Sequence, residues 1–522
     1  MITKYGIENA QNHNLLVITE LPRNKIWVGP AGLFEIEFIG KKDNEMKKNC
    51  SKVILVLLVF CFMCFTSSWA IALHQYTITH LTLGGTWSTA LAINDLGQVV
   101  GTSQISGDGS YHGFIYYNGT ITDLGSIYPS DINNLGQVIG YFGTVIDGSS
   151  TVRSFIYNNG ELTDLGTISS DLRAQSWANG INDFGQVVGS ANTGYEGSNF
   201  HAYLYSNGVM KDIDTIGPYD EESEAYVINN RGVVLGSERD GGIFLYRGVE
   251  MTRLNIFGNA LDMNDRGEFV GWGSWGSGLE GAFLYREGEL TGLGDLTNSG
   301  YTLPLAINES TQIVGQSDIG YFRRPWGYRR IDHAFLYDNG LMTDLNTLIP
   351  ANSGWELMYA TDINNRGQIV GYGVRDGKFQ EVCYEENGYT HCYNFPVYSA
   401  FLLTPISRVT IDIKPGGNPN SINPRNKGKI PVAILSTKDF DAPSQVDQKS
   451  LTFGSTGDEE SLAFCNQRSQ DVNGDGFKDV FCYFYTQSAG FQCVDTEGIV
   501  RGKTVDGTPI EGRDSVKIMR CK

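Results

Sequence analysis

An Ile-Asn pair, once Met-Asn, recurs seven times between Leu91 and Gly371, with Gly three residues on in all but the sixth copy and then a Val-rich run that ends in another Gly. The pairs stand at Ile93-Asn94, Ile132-Asn133, Ile181-Asn182, Ile228-Asn229, Met263-Asn264, Ile307-Asn308 and Ile363-Asn364. Their spacings of 39, 49, 47, 35, 44 and 56 residues average 45, the length of a four-stranded propeller blade. Seven units therefore predict seven blades.

A second phrase falls between the asparagines, as in Gly113 to Gly119, Ser154 to Gly160, His201 to Gly208, Gly281 to Gly288 and His333 to Gly340, with looser copies near Phe244 and Phe401. It is an aromatic and β-branched run ending in a turn, usually Asn-Gly, whose two residues need positive φ. A third phrase follows: Thr122-Asp-Leu-Gly125, Thr163-Asp-Leu-Gly166, Lys211-Asp-Ile-Asp214 and Thr343-Asp-Leu-Asn346, with Thr291 to Gly294 as a variant. Each unit thus reads as four strands: a (Asp-Leu), b (up to Ile-Asn), c (Val-Val-Gly) and d (Ala-Phe-Leu-Tyr). At the b–c junction the Asn caps a tight turn and the Gly takes its left-handed position. The sixth unit, Asn308 to Thr311, is expected to have a looser turn. Closure requires Tyr76 to Leu83 to serve as strand a of the seventh unit, paired with Ala400 to Leu403, because an open array would leave two sheet edges bare.

The Ile-Asn-x-x-Gly-x-Val-Val-Gly phrase and the tripeptide His333-Ala334-Phe335, altered at His201-Ala202-Tyr203, resemble the bacterial extracellular HAF repeats over Tyr76 to about Pro405. The resemblance implies a location outside the cell and a propeller; it names a scaffold and no activity. From Val409 the repeat stops, and Ile411 to Asn423 followed by Lys429 to Leu435 resembles a C-terminal module appended to many secreted bacterial proteins. The fold class is thus all-β: a seven-bladed β-propeller over 74–406, then a small β-sandwich-like domain over 409–522.

Met46 to Lys52 is a basic stretch, Val53 to Phe65 an apolar one, and Ser68-Trp-Ala70 or Ala70-Ile-Ala72 a small-residue cleavage site, so 46–72 reads as a signal peptide. Residues 1–45 carry no repeat and read as a gene-start artefact or a disordered leader. The alternative extends the apolar run to Leu73 and makes it a signal anchor. Either reading places the repeats outside the cytoplasm: extracellular, on the cell surface or in the periplasm. The formal charge of −19 over 522 residues argues against a nucleic-acid partner, which calls for a basic face.

Cys50, Cys61 and Cys64 leave with the signal; the other six cysteines point to disulfides. Cys383 and Cys392 flank an insert in the seventh unit and staple it. Cys465, Cys482, Cys493 and Cys521 allow three pairings, of which we favour Cys465 with Cys482 and Cys493 with Cys521.

Asp471, Asn473, Asp475 and Asp479 stand at positions 1, 3, 5 and 9 of a loop with Gly476 at position 6, the start of an EF-hand-type calcium loop. Cys482 replaces the usual glutamate at position 12, and the backbone oxygen of Phe477 would join the shell. The competing reading is an Asp/Asn/Gly turn without metal. His112, His201 and His333 share one register ahead of strand d and are read as hydrogen-bond partners rather than bases. The recurrent asparagines are read as turn formers rather than axial ligands. No nucleophile elbow, zinc pair or phosphate loop is present, and no catalytic residue is assigned.

Loops b–c and d–a are short, whereas a–b and c–d vary, so one face of the disc is expected to carry the insertions and any binding function. Trp272, Trp275, Arg324, Trp326, Tyr328 and Arg329 are the candidate ligand-binding residues there, as rings and cationic donors suited to an extracellular polysaccharide or a cell-surface partner. A packing cluster of the same residues is the alternative. The expected function is non-enzymatic binding. The rival is a secreted propeller enzyme acting on polysaccharide, which buried carboxylates converging on the central cleft would favour.

Overall fold

The computed structural model describes residues 76–107, 109–171, 173–194, 199–214, 222–275, 279–297, 301–324, 327–386 and 389–520, with the short segments 26–28 and 34–36. Met1–Leu73 and His74–Lys522 form two separate units. In the first, Ile26–Val28 pairs antiparallel with Phe34–Ile36; the signal or anchor segment and its three cysteines lie outside the described residues.

The second unit is all-β. Its first repeat runs Gly84–Ile93, Val99–Ile105, Tyr111–Tyr117 and Thr120–Gly125, an antiparallel meander in the expected order b, c, d, a. The second, third and sixth repeats have the same order. The fourth and fifth differ: strand Met251–Met263 is at once strand a of one and strand b of the next, so the two share a single seven-stranded sheet. In the seventh repeat the outer strand is Tyr76–Leu81, and Leu81 to Tyr76 pair in register with Ala400 to Pro405. The expected pairing of the two distant ends is therefore present.

The sequence phrases follow from how these sheets pack. The aromatic of strand d is fully buried in all seven repeats, at Phe114, Phe155, Tyr203, Phe244, Phe283, Phe335 and Phe401, each contributing about 1.5–3 kcal/mol. Both apolar residues of strand c, such as Val99-Val100 and Val187-Val188, are buried as well, as fits strands covered on both faces. The Gly that follows the apolar pair of strand c is needed for space. A Cβ on Gly189 would lie 1.9 Å from the Trp177 carbonyl oxygen, and one on Gly371 1.9 Å from that of Tyr359.

Each strand b carries a β-bulge at the same place, three residues before the Asn, at Leu91, Ser130, Asn179, Tyr226, Leu261, Leu305 and Thr361. A bulge re-aims the residues beside it. Side chains of the bulged residues Ser130, Asn179 and Thr361 reach the carbonyls of Ala178, Ala225 and Ala90 in the next repeat.

The C-terminal segment forms two four-stranded sheets, one holding Ile411–Ile413, Lys429–Ile434, Leu462–Cys465 and Val480–Tyr485, the other Ser407–Arg408, Val446–Gly454, Glu497–Thr504 and Pro509–Ser515. They share one apolar core that includes Val432, Phe453, Phe484 and Val500. Disulfides join Cys383 to Cys392 and Cys465 to Cys482, each between residues opposite one another on neighbouring strands. Cys493 is also disulfide-bonded; Cys521 lies outside the described residues. Such bonds belong to an oxidising compartment. Among the described residues no helix is long and apolar enough to cross a membrane.

Candidate functional site

The seven asparagines do more than form turns. Each is almost fully buried, and its Oδ1 accepts the N–H groups two and four residues on, as Asn94 does from Leu96 and Gln98. Its Nδ2 then donates to the backbone oxygen of the Asn in the next repeat: Asn94 to Asn133, and onward through Asn182, Asn229, Asn264, Asn308 and Asn364 back to Asn94, at 2.9–3.2 Å. A second closed ring lies beside it. The backbone N–H of Asp95 donates to the side-chain oxygen of Asn134, and Asp183, Asn230, Asp265, Glu309 and Asn365 continue the circle to Asp95 at 2.6–2.8 Å.

These rings surround a cavity of about 220 Å³ to which all seven repeats contribute. Asp131 and Asp262 also line it, each two residues before its Asn, and Asp362 holds the same register. Every one of these carboxylates takes one N–H from its own repeat and one from the next: Ile132 and Ile181, Met263 and Ile307, Ile363 and Ile93. Loss of hydration, above all, raises their proton affinity, and repulsion from nearby carboxylates, Asp183 for Asp131 and Asp131 for the other two, adds to it; Asp262 is pushed up to about 7 and Asp362 well above the carboxylate range. Sequence reading passed over these acids, although Asp-Ile-Asn, Asp-Met-Asn and Asp-Ile-Asn stand in three of the seven copies.

The sixth turn corrects an expectation. It is as tight as the others, with the Thr311 N–H on the Asn308 oxygen at 3.0 Å, equal to Gly97 on Asn94. Thr311 sits at φ 60°, a left-handed conformation costly for a β-branched residue. Its hydroxyl is held by Glu268 at 3.1 Å and by Arg266 at 2.6 Å. Glu268 stands where most repeats have Gln; burial would raise its pKa, but Asn264, Arg266, Thr311 and Arg286 together bring it down to about 2.

The three histidines each meet the Asp of strand a in their own repeat: His112 with Asp123 at 2.8 Å, His201 with Asp212 at 2.8 Å and His333 with Asp344 at 2.7 Å. Arg153 and Asp164 take the same places in the second repeat. Burial favours the neutral form of His333, but Asp344 and Glu356 outweigh it and hold the imidazole up at about 9.

On the opposite side, the c–d hairpin of the sixth repeat runs out to Arg324 facing Gly327, with Phe322 opposite Arg329 and Arg323 opposite Tyr328. Trp326 lies outside the described residues, as do the side chains of Trp275, Arg324, Tyr328 and Arg329. Trp272 is half-buried on strand c of the fifth repeat, opposite Ala282. Arg330, at the base of the hairpin, is paired with Asp332 at 2.5 Å and lies 3.7 Å over the Tyr301 ring, so this one arginine of the insertion is packed. The loops on this side are not all long: the fourth repeat turns from Glu238 to Gly242, and strand Met251–Met263 has no a–b loop.

In the C-terminal loop, Asp471 accepts the N–H groups of Gly474, Asp475 and Gly476, and Asn473 Nδ2 donates to Asp475. Asp479 is buried, with its oxygens on the N–H groups of Ser436 and Val472. Among the described residues no three His, Cys, Asp or Glu side chains are gathered as a metal site.

No family model and no curated protein matches the chain. Among solved structures it is similar to the β-propeller domain of the Trilobed protease from Pyrococcus furiosus, at 10% identity and a TM-score of 0.33 over 59% of this chain and 97% of that one. It is also similar to Pyrococcus horikoshii acylaminoacyl peptidase, at 10% identity and 0.34 over 68% and 59%, and to the Aleuria aurantia lectin, at 12% and 0.27 over 60% and 96%.

Proposed function

We propose that the mature protein is an exported, non-enzymatic binding protein, a seven-bladed β-propeller of HAF type with a C-terminal β-sandwich module, that engages an extracellular or cell-surface glycan through its loop face. The observation that carries this reading is the division of labour between the two sides. One is given over to hydrogen-bonded rings, while the other projects the extended hairpin up to Arg324 and the Cys383–Cys392 staple. In this reading Arg324, Trp326, Tyr328 and Arg329 of the sixth-repeat insertion, with Trp272 and Trp275 of the fifth repeat, are the residue types that would supply flat rings and charge-assisted donors. A glycan array on the mature protein tests this directly: the double variant Trp326→Ala/Arg329→Ala should lose every hit while keeping its melting temperature. Retained binding would place the site elsewhere.

The enzyme reading has one observation in its favour, the half-buried Asp131 and Asp262 that line the axial cavity, with Asp362 in the same register. Their oxygens are engaged by backbone N–H groups that bind neighbouring repeats together, a structural task. Asp262→Asn should therefore lower stability without removing any turnover of a bound polysaccharide; loss of product formation at unchanged binding would favour catalysis.

Calcium fits the C-terminal loop in the type of donor it offers. Asp471, Asn473, Asp475 and the Phe477 carbonyl are hard oxygen ligands, on a loop already curled about Asp471. A higher melting temperature of the module's transition in calcium than in chelator is expected, and equal temperatures would refute the assignment.

A further inference from the structure

Between the third and fourth repeats, on the loop side, lies a pocket of about 300 Å³. That is at the lower end for small-ligand sites and suits one ring. Strand b of the third repeat supplies Trp177, and strand d supplies Phe200 behind it, with ring centroids 5.1 Å apart. The fourth repeat supplies the polar wall: Glu222, Glu224, Tyr226 and Arg239. The Tyr226 hydroxyl is tied to Ser237 at 2.9 Å. The guanidinium of Arg239 is committed to Glu222 at 3.2 Å.

Glu224 is placed differently. It receives the Asn179 amide at 3.0 Å, and among the described residues no Lys, Arg or His is paired with it. The pocket therefore joins an indole wall to hydroxyls and a carboxylate without a counter-ion. A neutral sugar would leave that charge unanswered. A small quaternary ammonium ion would answer the charge and waste the hydroxyls, whose hydrogen bonds it cannot complete.

We propose that this pocket binds an amino sugar with a free ammonium group, the ring stacked on Trp177 and the ammonium on Glu224. The proposal rests on the glycan reading above and gives it a sugar class and a second subsite on the same face.

Calorimetric titration of the full mature chain with glucosamine oligomers, and with the same oligomers N-acetylated, tests it. A charge-assisted hydrogen bond corresponds to about a tenfold change in affinity or more. The free-amine oligomer should bind at least ~10-fold tighter, and Glu224→Gln, which keeps size and fold, should erase that preference. Trp177→Ala should abolish binding of both. Equal affinity for the two oligomers, or an unchanged preference in Glu224→Gln, overturns the proposal. If neither oligomer binds while the array still finds a glycan lost in Trp326→Ala/Arg329→Ala, the pocket assignment falls and the glycan reading stands. If no glycan binds at all, both fall.

Discussion

On the b–c turn side the seven repeats make the same hydrogen bonds around a closed circle, whereas on the c–d side they diverge. There a tight turn after Glu238, a hairpin out to Arg324 and a disulfide-stapled hairpin follow one another. The contrast separates what each side demands of its residues. A ring closes only if every member presents the same groups at the same place. A loop face needs only to be held at its base.

That contrast can be broken most readily at the ring. Asn182→Ala removes two donors and an acceptor that serve the Phe184 and Gln186 N–H groups, Gln186 and Asn229. Since each orphaned buried group costs about 1–3 kcal/mol, urea denaturation should show a loss of about 4 kcal/mol. Gly189→Ala, with its Cβ driven onto the Trp177 carbonyl, should cost about 3 kcal/mol or more; a loss under ~1 kcal/mol would mean that strands b and c can part freely.

Protonation of His333 probes the base of the loop side. Its folded pKa, about 9, lies above the ordinary 6.5, so its contribution is complete below pH 6.5 and is lost as pH rises through 9. The shift alone corresponds to at most about 3 kcal/mol, and exposure of Glu356 reduces this to about 2 kcal/mol. Melting temperature should fall over that window in the parent and stay flatter in His333→Gln. At Thr311 the two effects oppose: Thr311→Ala keeps the backbone strain and loses the hydroxyl, for a cost of about 1–2 kcal/mol, while Thr311→Gly also relieves the strain and should come out within about 1 kcal/mol of the parent. Glu224→Gln, on the loop side, should change stability by no more than about 0.5 kcal/mol.

Much of the fold was legible because the ring repeats its chemistry. The Asn, the Gly inside strand c and the strand-d aromatic each recur at a fixed place, and each has a steric or hydrogen-bonding reason to do so. The joining of the fourth and fifth repeats was not legible, since a missing a–b loop reads only as a short spacing, the 35 residues from Asn229 to Asn264. The sixth turn was misread because a missing Gly suggests a different backbone. Hydrogen bonds from the Thr311 hydroxyl to the distant Glu268 and from Arg266 and Arg286 to that hydroxyl hold the same backbone for Thr311. The pocket beside Trp177 was missed for a related reason: its walls come from two repeats, and Trp177 and Glu224 are unremarkable until the fold sets them side by side.

The outer strand Tyr76–Leu81 has a consequence for how the molecule comes into being. The Thr77 hydroxyl reaches the Thr404 carbonyl across 327 residues of chain, so the first strand of the seven repeats waits for their last. Contacts of such sequence separation form late and slowly. Until they do, strand Tyr389–Pro405 exposes an unpaired edge of the kind that recruits other chains. A nascent chain stopped short of Ala400 would thus carry Tyr76–Leu81 as an orphaned strand, and because that strand emerges before the rest of the repeats, its exposure lasts as long as synthesis of the entire ring.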